Sequence, residues 1–400
     1  MIPYGRQSIS QADIDAVISV LNSDWLTQGP VVPKFEQAVA DYCGARFGIA
    51  VNSATSALHI ACLSLDVGPG DLVWVPANTF VATANCALYC GADVDFIDID
   101  SQTYNISVEC LRQKLVEAQS KNALPKVVIP VHFAGQSSEM LEISKLSKEF
   151  GFKVIEDASH ALGGEYLGKR VGSCDFSDIT VLSFHPVKMI TTGEGGMVLT
   201  NDGDLAAKLV RNRTHGITSS PNLMEWGGDK SDEIWNFQQV SLGFNFRLTD
   251  IQAALGLSQM ERLSDFLERR REIAKKYDQD LAEIGVVLPF QDPTTNSSRH
   301  LYPIRLLETS GVTNQRLIYN CLIESGIMVN LHYIPVYRHP YFERIGFKKG
   351  YCPEAELYFK SALSIPIFPS LTNLQQEFVI DRISHFLNKL KSGNFQIENE

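Results

Sequence analysis

Short apolar runs that read as strands alternate with segments of helical spacing through the first half of this chain. "FGIAVN" reads as a strand and "SATSALHIACLSL" as a helix opening on Ser and Thr. The pattern repeats as "DLVWVP" then "TFVATANCALYCG", "DVDFIDID" then "VECLRQKLVEAQS", and "KVVIPVHF" then "SSEMLEISKLSKEF". "FKVIEDAS", "DITVLSF" and "GGMVLT" supply three more strands. Apolar strands separated by helices predict an α/β fold: a mainly parallel sheet covered on both faces. Ligands of such sheets bind beyond the carboxyl ends of the strands.

Two helices precede this region. "SQADIDAVISVLNS" has Ser10 as its N-cap, and "FEQAVADYCGA" follows. Past the strands, "FRLTDIQAALGLSQMERLSDFLERRREIAKKYDQDLAEI" predicts one long amphipathic helix over about 249–284. It would join a large domain (1–250) to a smaller α/β domain (251–400). The smaller one contains "HLYPIRLL", "NQRLIYNCLIESGI", "VNLHYIPVY" and "QQEFVIDRISHFLNKL", and the final "SGNFQIENE" is predicted to fray.

Composition narrows the function. The 400 residues are 44% hydrophobic and 20% charged, as in ordinary globular chains, and suffice for two or three domain-sized units. A net charge of -11 argues against nucleic acid as a partner, because a phosphate backbone needs a basic face. A few local cations could still receive a small anionic substrate. The start, "MIPYGRQSISQADIDAV", lacks the features of a signal peptide, and no apolar run is long enough to predict a membrane span. Eight scattered cysteines without a C-x-x-C are expected to be reduced thiols of a cytoplasmic protein, with Cys86 and Cys90 packing along a helix. The N-x-S/T matches at Asn105, Asn212 and Asn296 then carry no meaning.

Four features fall at or just past successive strand ends. "NSATS" (52–56) opens a helix with small hydroxylated residues, where free amides and the helix dipole favour a phosphate; a bare N-cap is the plainer reading. Phe80 could stack on a planar ring or simply fill the core. Asp157 ends an apolar strand, with His160 three residues on; its carboxylate needs a cation there, or it caps the next turn. Lys188 lies between Ser183 and the glycine-rich "TTGEGG". Desolvation would make its amine nucleophilic, unless the side chain snorkels to water. Together the four supply phosphate donors, a stacking ring, a carboxylate and an amine. That is the set pyridoxal 5'-phosphate needs: the lysine forms the Schiff base, and the carboxylate keeps the pyridine nitrogen protonated.

Competing motifs fail. "GGEYLGKR" approaches a Walker A loop but ends on Arg170, with no helix after it. No G-x-G-x-x-G follows the first strand, and no histidine spacing suits a metal.

"NSATSALH", "PANTFVATANC", "EDASHALGG", "SFHPVKMITTGEGG" and "GFNFRLTDIQAALGLSQM", in this order, resemble the nucleotide-sugar aminotransferases of the DegT/DnrJ/EryC1/StrS group. The resemblance runs from "PYGRQSI" to "HYIPVY". It implies the type I, aspartate aminotransferase-like fold, glutamate as amino donor, and a homodimer with shared active sites. It places the Schiff base on Lys188, the ring-nitrogen acid on Asp157, His160 near the ring hydroxyl and Phe80 over the ring. Ala54, Thr55 and Ser183 would hold the phosphate, with Asn245 of "FNFR" reaching it from the second subunit. Some relatives are dehydratases with His in place of the lysine, so Lys188 implies transamination. "IPYGRQSI", "DWLTQGP" and "HYIPVY" resemble one branch that aminates a UDP-linked keto sugar. In that branch Tyr4, Asp24, Trp25, Leu26, Thr27, Ala54, Asn245, Asn330, Leu331, His332 and Tyr333 would line the sugar-nucleotide pocket. Arg247 is a candidate for the diphosphate on charge grounds, or else a helix-end salt bridge. A non-catalytic protein that kept the fold is the rival from another class; Lys188, Asp157 and Ser183 together speak against it.

Overall fold

The computed structural model describes residues 1–224, 235–307 and 314–391; the stretch expected to fray, 392–400, lies outside them. Seven strands form the main sheet: β1 (Phe47–Val51), β2 (Leu72–Pro76), β3 (Asp93–Ile97), β4 (Val127–Val128), β5 (Lys153–Asp157), β6 (Ile179–Ser183) and β7 (Gly196–Thr200). Their order is β1-β7-β6-β5-β4-β2-β3. Pairing is parallel from β6 to β3, and β7 runs antiparallel to both of its neighbours.

Both faces of the sheet are dry. Val73, Val75, Ile155 and Val181 pack into one core cluster, while the alternating Trp74, Val154 and Leu182 pack into two others on the opposite face. Helices α2 (Val31–Cys43), α3 (Ala54–Ser64), α4 (Val81–Tyr89), α5 (Val108–Ser120) and α6 (Met140–Phe150) account for most of this cover, while α1 (Gln11–Leu21) packs on the later helix Asp250–Met260. Leu58 of α3 and Ala84 of α4 seal the first face; Phe35 of α2, Leu111 of α5 and Ile143 of α6 seal the second. Each fully buried aliphatic or aromatic side chain contributes about 1.5–3 kcal/mol. Ser10 caps α1 as the sequence suggests, in a capping box with Asp13.

Two expectations need correction. The strand expected over "KVVIPVHF" is regular only at Val127–Val128, because Pro130 has no N–H to give the ladder. The chain continues extended, and Val131 still bridges Asp157. The single helix expected over about 249–284 is two, α7 (Asp250–Met260) and α8 (Leu263–Asp280). The chain turns at Glu261 and Arg262, and the Arg262 guanidinium meets the buried Asp13 and the Ser8 carbonyl. A buried carboxylate demands such a cation, and the turn delivers it.

The C-terminal part has its own antiparallel sheet, β8 (Val286–Val287), β9 (Tyr302–Leu306) and β10 (Ala362–Ile365), in the order β8-β9-β10. Helix α8 has a foot in each core. Leu263 and Leu267 pack toward the main sheet, and Ile273 and Tyr277 toward the second one. Between them the buried Arg270 donates to the carbonyls of His300 (3.1 Å) and Ile367 (2.9 Å). The N-terminus joins the second core as well: Ile2 donates to the Gly326 carbonyl (2.7 Å) and accepts from the Met328 amide (2.8 Å). That pairing carries Tyr4 toward the rim of the main sheet. Among the described residues no helix is long and apolar enough to cross a membrane, and no cluster of His, Cys, Asp or Glu could hold a metal.

Candidate active site

The sheet register collects the chemistry. Asp157 stands opposite Val181, Ser183 opposite Gly196, and Gly196 opposite Val51. The carboxyl ends of β1, β5 and β6 therefore share a rim with the amino end of β7. A cavity of about 860 Å³ opens there.

Asp157 is 4% exposed. Its Oδ2 accepts from the Thr83 hydroxyl (2.7 Å) and its Oδ1 from the Ser159 amide (3.1 Å). Both donors are neutral, and among the described residues Asp157 makes no ion pair. A buried carboxylate in that condition fits a cationic ligand.

Lys188 lies on the turn between β6 and β7, its amide donating to the His185 carbonyl (2.9 Å). Its side chain also lines the cavity and makes no ion pair among the described residues. Burial pushes its ammonium down to about 8, against the opposing pull of Asp157. At neutral pH a useful fraction is therefore free amine, the form that attacks a carbonyl.

At another side of the cavity lie Ala54, Thr55 and Ser183. Ser53 caps α3 by accepting the Ser56 amide (3.1 Å), and the Ser56 hydroxyl is taken up by Asn52 (2.7 Å). The first-turn amides of Ala54 and Thr55 have no helical acceptor. Gly196 passes so close that a Cβ on it would lie 2.7 Å from the Ala54 nitrogen. Helix start, bare glycine and serine hydroxyl form a cradle suited to a phosphate.

Phe80, at the N-cap of α4, is 57% exposed over the cavity and so is no core residue. Its ring centroid lies 6.2 Å from that of Tyr333. His160 is 5% exposed, and its Nε2 meets the Tyr333 hydroxyl (3.1 Å). Burial first, then the charge of Lys188 and the proximity of His332, hold His160 well below the usual imidazole range, so it is neutral. Among the described residues its Nδ1 has no hydrogen-bond partner.

Asn330, Leu331, His332 and Tyr333 bring the second part of the chain to the cavity. The Leu331 amide donates to Asn330 Oδ1 (2.8 Å), so the amide nitrogen of Asn330 faces His332 Nε2 (3.3 Å). His332 Nδ1 then carries the proton and donates to Ser364 (2.9 Å). Burial lowers His332 to about 3, which keeps it neutral. Tyr4 completes this wall, its ring 5.4 Å from that of His332.

Six residues singled out by the sequence do not line this cavity. Asp24, Trp25, Leu26 and Thr27 are exposed on the segment between α1 and α2. Asn245 is exposed and bridges Thr214, and Arg247 is half-buried beside Val51 of β1. Sequence reading missed Thr83, Ser159, His185 and His300. Thr83 lies one turn into α4 from Phe80, a spacing that could have exposed it. His300 packs its ring 4.6 Å from that of His160, a contact across 140 positions that no local pattern announces.

Taken end to end, the cavity offers what a flat, phosphorylated pyridine aldehyde requires, and comparison with known proteins gives the class directly. Residues 7–384 match the DegT/DnrJ/EryC1/StrS aminotransferase family, and the chain belongs to it: it is a pyridoxal-phosphate-dependent nucleotide-sugar aminotransferase. Within that family it is 38% identical over 395 residues (98% of this chain, 99% of the relative) to a Campylobacter jejuni protein named UDP-4-amino-4,6-dideoxy-N-acetyl-beta-L-altrosamine transaminase. It is 37% identical over 385 residues (96% of each) to the spore coat polysaccharide biosynthesis protein SpsC of Bacillus subtilis. Among solved structures, Helicobacter pylori PseC, an aminotransferase involved in the biosynthesis of pseudoaminic acid, superposes with a TM-score of 0.88 at 31% identity, covering 97% of this chain and 99% of that one.

Proposed function

We propose that this chain moves the amino group of glutamate to C4 of a UDP-linked 4-keto-6-deoxy-N-acetylhexosamine, forming UDP-4-amino-4,6-dideoxy-N-acetyl-β-L-altrosamine in pseudaminic acid biosynthesis. One observation supports the chemistry above all: a lowered amine and a buried acid with no ion pair among the described residues share a cavity of about 860 Å³. That volume is at the upper end for ligand sites, enough for a cofactor and a sugar together. The names of the Campylobacter and Helicobacter relatives support the sugar.

When bound, pyridoxal phosphate supplies an aldehyde that accepts amino groups and a ring that spreads negative charge. Lys188 would tether it at rest. With an amino donor bound, the Lys188 amine would take the proton from the donor's Cα, and with the keto sugar bound it would deliver a proton to sugar C4. Asp157 would hold the proton on the ring nitrogen. Phe80 would cover one ring face, neutral His160 would serve the ring hydroxyl, and Ala54, Thr55 and Ser183 would hold the phosphate.

Tyr4, Ala54 and residues 330–333 bind the sugar nucleotide. Asn245, Arg247 and the segment Asp24–Thr27 serve the site from a second copy, so the working form is a cytoplasmic homodimer. Residues 1–250 form the cofactor-binding part in this reading and 251–400 the smaller part.

The near-equal identity to the Bacillus relative favours a second reading, an aminotransferase for a differently configured keto sugar nucleotide. Incubation with candidate UDP-4-keto sugars and glutamate, followed by assignment of C4 and C5 in the product, separates the two. Absence of any amino sugar would sink both.

A further inference from the structure

Thr83 is fully buried and sits at the third position of α4. Its hydroxyl lies 2.7 Å from Asp157 Oδ2 and 2.7 Å from the hydroxyl of Thr79, itself 2% exposed. An ionised carboxylate only accepts hydrogen bonds, so the Thr83 proton must point at Asp157. Its oxygen is then the acceptor for Thr79. The direction of the chain is fixed: Thr79 donates to Thr83, and Thr83 donates to Asp157.

We propose that Thr83 is a positioning residue for the cofactor, its hydroxyl, oriented by Thr79, setting the carboxylate of Asp157 against the ring nitrogen. This rests on the reading of Asp157 given above.

Two further features point the same way. Phe80 and Thr83 are three residues apart and so occupy one side of the first turn of α4. One turn of helix thus offers the stacking ring and the donor that aims the acid, fixing ring plane and ring nitrogen together. The choice of a hydroxyl also has a physical sense. Elsewhere a buried carboxylate such as Asp13 is met by Arg262, a full charge. A cation at Thr83 would neutralise Asp157 and leave nothing for the pyridinium. A neutral donor orients the carboxylate and leaves its charge available.

The test is Thr83→Val, nearly isosteric but without the donor, with Thr83→Ser and Asp157→Asn beside it. The readouts are the dissociation constant of pyridoxal phosphate from reconstituted apoprotein, the near-420 nm band, and the melting temperature of the apoprotein. A hydrogen bond to a charged group is worth enough that Thr83→Val should weaken cofactor binding by about tenfold or more. Thr83→Ser should stay within about twofold, because it restores the donor. If Asp157→Asn weakens binding and changes the band while Thr83→Val matches the parent, the role of Thr83 is refuted and that of Asp157 stands. If Asp157→Asn itself changes neither, the reading of Asp157 is the one that fails. Should Thr83→Val melt far below the parent, Thr79→Val, which removes only the upstream donor, decides. Weakening of about twofold supports the chain, and an unchanged constant and band overturn it.

Discussion

The two faces of β5 carry adjacent acids with opposite fates. Glu156 points behind the sheet, where His132 Nε2 (2.7 Å) and the Ser177 hydroxyl (2.5 Å) take up its oxygens. The Ser138 amide donates to His132 Nδ1 (3.1 Å), so the proton of that ring sits on Nε2, facing Glu156. Glu156 and His132 are buried there, and Ser177 is half-buried. Asp157, one residue on, points into an open cavity with two neutral donors and, among the described residues, no ion pair. The pleat alone separates them. Burial of an acid is therefore no mark of function; what distinguishes Asp157 is that it faces open space shared with the Lys188 amine.

That contrast can be attacked by mutation. Lys188→Ala should abolish turnover, by at least about 10⁴-fold, and remove the near-420 nm band on reconstitution; a variant that kept its rate would end the assignment. Asp157→Asn should lower kcat/KM by about 10²–10³-fold with the fold intact, the scale of a broken buried ion pair. The amine of Lys188, lowered to about 8, should make capture of added pyridoxal phosphate by apoprotein speed up as pH rises and level off above about 8. Stopped-flow absorbance would check this. An increase that continued toward pH 10 would mean the amine is solvated. Phe80→Leu should weaken cofactor affinity by about three- to tenfold, the range of one aromatic contact. Glu156→Gln should leave kcat/KM within about twofold while reducing stability by about 1–3 kcal/mol in a denaturant titration. A Glu156 variant as inactive as Asp157→Asn, yet normally folded, would erase the distinction between the faces.

Much of this arrangement is legible in the chain because its signals are local. The apolar runs of β5, β6 and β7 and the helical spacing of "VECLRQKLVEAQS", which is α5 residue for residue, need only a few neighbours to be read. Asp157 and Lys188 stood out because polar groups at the ends of apolar strands are costly. The illegible parts depend on partners far away in sequence. Asp250 caps the start of α2, accepting from the amides of Gly29 (3.1 Å), Val31 (3.2 Å) and Val32 (3.2 Å). Gly29 must be bare, since a Cβ there would lie 2.4 Å from Asp250 Oδ2. The break between α7 and α8 likewise follows the needs of Asp13, at the other end of the chain. His300 reaches His160 only once the second core has docked, and no periodicity in "SRHLYPIRLL" foretells that. Even Phe80, read by its type, belonged either to a core or to a ligand, and only its exposure decides.

The reversed direction of β7 has a consequence for how such chains can diverge. A parallel neighbour would oblige the polypeptide to leave the functional rim, cross the sheet and start again from the far edge. Because β7 runs backwards, residues 184–195 go out and return on the same side, and His185, Val187, Lys188 and Glu194 of this connection line the cavity while Phe184, Met189 and Ile190 anchor it in the core. Extra residues accepted between α5 and β4, on the far edge, would leave substrate choice alone. Extra residues accepted between β6 and β7 would reshape the wall that His185, Val187 and Glu194 give the cavity, making this short span a natural place for one scaffold to acquire new preferences.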